Sequence, residues 1–263
     1  MSEQLHTTLS HNGIFRITMN RPEVHNAFDS EQTARLIAAL KRAETNPDIR
    51  LVILAAEGKS FSAGGDINYM KQMGNNSYQE NLEDAGQLAK LMKVLNFLPK
   101  PTIARVQGAA MGGGVGLVSC CDFAIGTEKT KIALSEVKLV MAPATIAPYV
   151  VRAIGERAAR RLFISAETIN AQRALELGFL SEIVATEQLD AAVDRLADKL
   201  IANAPNGMRL AKEAAHRVAS GVVDDELISY TTKLIADIRD SDEGREGLSA
   251  FLEKRPPSWT KNQ

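Results

Sequence analysis

Two glycine-rich segments and one acid flanked by apolar residues are the parts of this 263-residue sequence best suited to chemistry. The first segment, Phe61-Ser62-Ala63-Gly64-Gly65-Asp66-Ile67, follows an apolar run at 50–55; the second, 108–116 with Gly112-Gly113-Gly114 inside it, follows a run at 102–106. Backbone without side-chain bulk approaches a ligand closely. Two such segments can therefore aim N–H donors at one carbonyl oxygen and favour the negative charge that develops on it during reaction. A helix starting near Gly113 would add the positive end of its dipole. The same glycines would also serve tight turns and close helix–strand contact, and taken alone the residues leave both readings open. The acid is Glu136, in Lys131-Ile132-Ala133-Leu134-Ser135-Glu136-Val137. An acid among apolar neighbours is either kept there for proton transfer or begins a turn, and again the residues permit both.

Competing chemistries leave no fingerprint. Neither glycine segment has the G-x-G-x-x-G spacing of a dinucleotide site, and the phosphate loop G-x-x-x-x-G-K-[ST] and the nucleophile elbow G-x-S-x-G are both missing from the sequence. His6, His11, His25 and His216 are scattered, so their spacing suggests neither a metal site nor a Ser–His pair, and each is expected on the surface or in a loop. Cys120 and Cys121, adjacent in an apolar stretch, read as buried thiols of a reducing compartment rather than as a bridge. The 31 basic and 32 acidic residues cancel to a formal charge of -1, which leaves no global field to attract nucleic acid or an anionic membrane. No basic leader precedes an apolar stretch at the start, and the longest apolar runs are short and broken by glycine, so the chain is expected in the cytoplasm.

Rigid elements must hold these groups. Residues 5–9 and 14–19 read as a hairpin around Asn12-Gly13. A helix follows from Ser30, whose hydroxyl suits a cap, with Leu36, Ile37 and Leu40 on one face. The runs at 50–55 and 102–106 are β-branched and apolar enough for buried strands, and 131–137 is strand-like before a loop through Pro143. From 188 onward the pattern is helical, with Leu189, Val193, Leu196 and Leu200 at helical spacing and another helix around 227–238. This order predicts an α/β core over 1–187 and a helical lobe over 188–263. Two strand, glycine-loop, helix units in succession hint at a repeated supersecondary unit.

Several short pieces stand in a fixed order along the chain. They are Asn20-Arg21-Pro22 with Asn26-Ala27, the segments 61–67 and 108–114, Cys121-Asp122, Ser135-Glu136 and Arg152-Ala153-Ile154-Gly155. The segment 174–178 and the tail Arg245-Glu246-Gly247 with Phe251-Leu252-Glu253-Lys254-Arg255-Pro256 complete the set. Together they resemble the signature of the enoyl-CoA hydratase/isomerase (crotonase) superfamily over nearly the whole chain. The resemblance implies a spiral of ββα units with a C-terminal helical trimerisation lobe, assembled as a homotrimer or a dimer of trimers. It implies a lyase of acyl-CoA metabolism, in fatty acid or branched-chain amino acid degradation, whose substrate is a CoA thioester. No separate cofactor is implied, because CoA enters as part of the substrate. Gly65 and Gly113 match the two oxyanion donors of the family. Val24, His25, Ala27, Ala63, Asp66, Ile67 and Asn68, with Gly65 and Gly113 themselves, match the stretches that line the CoA, and Glu136 matches one of two catalytic glutamates.

The position of the other glutamate is occupied by Gly116. In two-glutamate relatives the pair positions a water for addition across the double bond, whereas isomerases of the family manage with one, so Gly116 bears on the reaction. The stretch from Glu136 through Leu139, Ala142-Pro143-Ala144 and Pro148 to Gly155, with Glu253-Lys254-Arg255-Pro256-Pro257, is most similar to methylglutaconyl-CoA hydratase-like members. A branched or carboxylated 2-enoyl-CoA is therefore the expected substrate of a hydratase, with Δ3,Δ2-enoyl-CoA isomerisation as the alternative. Ala144-Thr145-Ile146-Ala147 replaces a glycine-rich loop of many relatives, which implies a reshaped acyl pocket. Arg152 could pair a substrate carboxylate, although a solvent-facing helix position explains it more simply. A non-catalytic or RNA-binding scaffold is the least favoured reading. Arg35, Lys41 and Arg42 of the first helix stand beside Glu31 and Glu44, and no nucleic-acid or membrane partner is expected.

Overall fold

The computed structural model describes residues 4–219 and 221–260, without the side chains of Ile67, Asn68 and Gln72. Strands β1 (Leu5–Leu9) and β2 (Ile14–Met19) form the expected hairpin, with Leu5 opposite Met19. Helix α1 (Ser30–Thr45) follows. Its cap is Asp29, whose side chain accepts the Gln32 N–H at 2.7 Å, so Ser30 is the first helical residue rather than the cap.

Three successive strand pairs then wind between two sheets. β3 (Leu51–Ala56), β5 (Thr102–Val106) and β7 (Phe123–Thr127) join the hairpin in one six-stranded sheet, which β10 (Glu182–Val184) closes. β4 (Ser60–Ser62), β6 (Ala109–Met111) and β8 (Lys131–Ala133), with β9 (Thr168–Asn170), form a second sheet of four. Each turn therefore places one strand in each sheet before a helical connection. Helices α2 (Ile67–Met73) and α3 (Tyr78–Asn96) follow β4, and α4 (Gly113–Cys120) follows β6. This is the repeated unit hinted at by the glycine loops, and it is a spiral of ββα units. The parallel pairs β3·β5 and β5·β7 are covered on both faces, which accounts for their apolar runs.

After a short turn come α5 (Ala147–Ile154), α6 (Glu156–Ser165), α7 (Ala171–Leu177) and α8 (Leu189–Ile201). The larger core lies between the first sheet, α1, α3 and α4. A smaller core fills the opposite face, where Leu51, Ile53, Ile103 and Ile125 meet Leu189, Ala192, Val193 and Ala197 of α8. Arg105 fixes α8 further through a two-pronged ion pair with Asp190 at 2.6 and 2.9 Å. Helix α8, which opens the 188–263 lobe in sequence, is thus one wall of the core. Helices α9 (Pro205–Val218), α10 (Asp225–Asp240) and α11 (Asp242–Leu252) pack on one another beyond it; α9 and α10 bury no residue fully. Cys120 is buried beside Met92, whereas Cys121 is only half-buried, so the thiol pair is less enclosed than its apolar sequence suggests.

Candidate active site

The site begins with the parallel pairing of β4 and β6, which sets Ser60 beside Ala109 and Ser62 beside Ala110. Both strands end in glycine loops, so the loops leave the sheet side by side. Contact between them is close: a Cβ on Gly64 would lie 2.9 Å from the Met111 carbonyl oxygen, and one on Gly112 would lie 3.9 Å from Gly64 Cα. Both residues also have positive φ, +84° and +47°, which excludes most side chains twice over. Gly113 opens α4, so its N–H belongs to a first turn that has no acceptor within the helix.

The segment 20–28 braces this arrangement. Asn26, fully buried, receives the Arg21 N–H on its Oδ1 and donates to the carbonyls of Glu57 and Ser60 at 2.8 and 3.0 Å. Ser62 Oγ donates to the Asn26 carbonyl and accepts the Gly64 N–H. The amides of Ala63 and Asp66 donate to the carbonyls of His25 and Phe28, and Phe28 donates to Gly64. Arg21 ties the ends together through Asp29 at 2.7 Å, Asp66 at 3.3 Å and the Ala27 carbonyl at 3.0 Å. The role of Asn20-Arg21-Pro22 and Asn26-Ala27 is therefore to hold the backbone around Gly65.

Glu136 reaches the same place from the third turn of the spiral. The strand-like run 131–137 ends as a strand at Ala133, and Glu136 opens a 3-10 turn, Glu136–Leu139. The Gly112 amide donates to the Ala133 carbonyl, which anchors the two loops together. Glu136 Oε1 comes within 3.2 Å of where a Cβ on Gly112 would stand, so a side chain there would crowd the carboxylate. Its Oε2 is buried and finds no hydrogen-bond partner among the described residues. Burial raises the carboxyl above the usual glutamate range, which favours a group that both gives and takes a proton.

These parts enclose a cavity of about 260 Å³, lined by Gly65, Gly113 and Glu136 together with Phe28, Met70, Met111, Leu139 and Ile146 among others. Ala63 also lines it; Val24, His25, Ala27 and Asp66 do not. Ala27 and Asp66 are themselves buried, and the Asp66 side chain is engaged by Arg21. The side chains of Ile67 and Asn68 lie outside the described part of the structure. Arg152 is exposed on α5 and does not line the cavity.

Position 116 faces packed side chains. Its side chain would not meet open pocket: a Cβ there would stand 2.4 Å from Ile146 Cγ2 and 3.1 Å from Met92 Cε. Ile146, at the cavity wall and 2% exposed, fills the space in front of it. Ile146, from the stretch 144–147, thus closes the wall beside Gly116. Two further lining residues escaped the sequence reading: Tyr69 on α2 and Asp84 on α3, whose side chains hydrogen-bond to each other. Nothing in their local sequence marks them, because α3 reads as an ordinary amphipathic helix.

Comparison with known proteins agrees with this geometry. An enoyl-CoA hydratase from Shewanella pealeana has a structure similar to this chain, with a TM-score of 0.95, 44% identity, and coverage of 98% of this chain and 96% of that one. An enoyl-CoA hydratase/isomerase from Marinobacter aquaeolei is similar with a TM-score of 0.91 and 31% identity over 98% of this chain and 99% of its own. The mitochondrial enoyl-CoA hydratase domain-containing protein 3 of Xenopus laevis is 29% identical over 248 residues, 94% of this chain and 83% of its own length. The family model described as enoyl-CoA hydratase/isomerase matches residues 10–262, and with paired glycine loops and a half-buried glutamate in one pocket the chain belongs to the enoyl-CoA hydratase/isomerase family.

Proposed function

We propose that the protein hydrates a 2-enoyl-CoA, preferring an acyl chain branched near C3, with Gly65 and Gly113 holding the thioester oxygen and Glu136 protonating C2. The observation that carries this reading is the contact of the 64–65 and 112–113 backbones beside the Glu136 carboxylate. Two amides aimed at one oxygen stabilise an enolate, and a half-buried acid at the same point supplies the proton. Hydratase names recur among the similar proteins, which favours water addition within the family. Among the described lining residues there is no Lys or Arg, so the pocket suits a branched apolar chain better than one ending in a carboxylate. The test is to incubate the enzyme with 3-methyl-branched, linear and carboxylated 2-enoyl-CoA thioesters and to follow loss of the conjugated double bond. Fastest hydration of the branched neutral thioester supports the reading; absence of hydration on all three refutes it.

Isomerisation of 3-enoyl- to 2-enoyl-CoA is the second reading, favoured by Ile146, which closes the wall at Gly116 and leaves Glu136 alone on that side. Glu136 would then carry one proton between C2 and C4. An RNA-binding use gains no support, since Arg35 pairs with Glu31, Lys41 with Glu44, and Arg42 lies over the Phe15 ring. Exposed Leu248, Phe251 and Leu252 on α11, and Ile228 and Ile235 on α10, favour self-association through the lobe as a trimer or dimer of trimers. Mass measurement in solution tests that assembly. No helix among the described residues is long and apolar enough to cross a membrane.

A further inference from the structure

Hydration moves two protons: one leaves the attacking water, and another arrives at C2. Glu136 beside the glycine loops accounts for the second, and the wall at Gly116 is closed by Ile146 and Met92. Besides Glu136, two carboxylates line the cavity, Asp29 and Asp84. Asp29 is committed elsewhere, since it caps α1 through Gln32 at 2.7 Å and pairs with Arg21 at 2.7 Å. Asp84 has no cationic partner among the described residues. The Tyr69 hydroxyl donates to its Oδ1, which leaves Oδ2 as an acceptor. The pair thus bridges α2 and α3. Burial and the neighbouring Asp84 push the Tyr69 phenol up to about 12, which keeps it a donor across the working pH range. A cavity of about 260 Å³ accommodates a short acyl chain and a water, whose share of volume is roughly 30 Å³.

We propose that Asp84, oriented by Tyr69, is the second catalytic carboxylate of this site and binds the water that attacks C3. The water oxygen bonds to C3 while one of its O–H bonds breaks and the proton passes to Asp84. The C2–C3 double-bond pair moves toward the thioester, whose oxygen takes negative charge between the amides of Gly65 and Gly113. Protonated Glu136 then gives its proton to C2, the thioester carbonyl re-forms, and the proton on Asp84 returns to Glu136 through solvent. Tyr69 acts through Asp84 and is a positioning residue.

This inference rests on the hydratase reading, and two measurements on one preparation separate their failures. The first is hydration of a 3-methyl-branched 2-enoyl-CoA. The second is exchange of the α-hydrogen of the matching saturated acyl-CoA into deuterated water, which needs only the glycine amides and Glu136. Asp84→Asn, close to isosteric, is expected to lower the hydration-to-exchange ratio by at least about tenfold, of the order found for single acid–base groups. Tyr69→Phe should lower the same ratio about three- to tenfold, because it removes the hydroxyl that orients Asp84. A merely structural role for the pair would reduce both rates together and leave the ratio alone; that result overturns the inference. Wild-type exchange without hydration overturns the hydratase reading and the inference with it. Hydration by wild type with an unchanged ratio in Asp84→Asn overturns the inference alone.

Discussion

The floor and the wall of the pocket are built differently. The floor is backbone: Gly64, Gly65, Gly112 and Gly113 lie on strand ends, cross-braced by the buried side chains of Asn26 and Ser62. The wall is side chain: Tyr69, Met70, Asp84, Leu139, Met141 and Ile146 on α2, α3 and the stretch 137–146, much of it half-buried or exposed. A floor made of amides performs one reaction step on any acyl chain that reaches it. A wall made of side chains is free to change which chain does.

The largest expected effect strikes the acid that stands over the floor. Glu136→Gln should lower kcat by about 10³ or more while CoA binding changes less than about twofold, since the amide keeps the shape and cannot transfer the proton. Retention of a tenth of the activity would remove Glu136 from the chemistry. The same substitution has a stability signature. Burial raises the folded carboxyl above its unfolded value, so the folded state prefers the protonated form. That preference contributes fully below the unfolded value of about 4.3 and is lost as pH rises through the folded one. The amide of the variant does not titrate. Melting curves should therefore show Glu136→Gln gaining on wild type as pH rises from about 4 to 7, with no gain at the acid end.

Next comes the donor on the other loop. Gly113→Pro deletes one amide N–H at a first helical position where proline is sterically acceptable to the helix itself. A Cβ there would also press on Phe28 Cε2 at 2.9 Å, so Gly113→Ala, which keeps the N–H and the clash, is the reference. Proline should cost roughly 10²–10³ in kcat beyond alanine. Equal kcat values for the two would move the oxyanion hole away from Gly113.

The same division explains what the sequence disclosed. Floor elements were legible because backbone geometry demands glycine: the strands at 102–106 and the helix start at Gly113 stand where glycine spacing put them. Glu136 was legible as an acid among apolar residues, although it begins a turn instead of ending a strand. The wall was not, because it depends on which side chains of α2, α3 and 137–146 converge, and helical periodicity carries no such information. Ser30 illustrates a smaller ambiguity. Asp29 and Ser30 both suit a cap, and Asp29 takes the role while paired with Arg21.

Position 116 lies where floor meets wall. Gly116→Glu alone should destabilise the protein by about 2 kcal/mol or more in urea unfolding, because its Cβ would collide with Ile146 and a charge would enter a closed wall. Combining it with Ile146→Ala opens the space. The double variant should recover part of that stability and raise the hydration-to-isomerisation ratio on a linear 2-enoyl-CoA above that of Ile146→Ala. An unaltered ratio in a folded double variant would show that position 116 does not face the reacting carbons.

The smallest effect belongs to the wall alone. Val140 ends the turn that carries Glu136, with φ at +57° and its side chain 98% exposed. A β-branched residue in the left-handed region is strained, typically by about 1–3 kcal/mol, and the exposed side chain makes little contact to offset it. Glycine removes that strain but adds unfolded-state entropy worth about 0.4–1 kcal/mol. Val140→Gly should therefore be stabilising by roughly 0.5–1 kcal/mol, a rise in Tm of about 1–3 °C for a chain of this size. The kcat should stay within about twofold, since Val140 is exposed and does not line the cavity. A fall in Tm accompanied by weaker self-association would instead show that a second copy of the chain covers Val140. The strained turn would then be held by assembly, and the wall of the pocket would depend on it in a way that the floor does not.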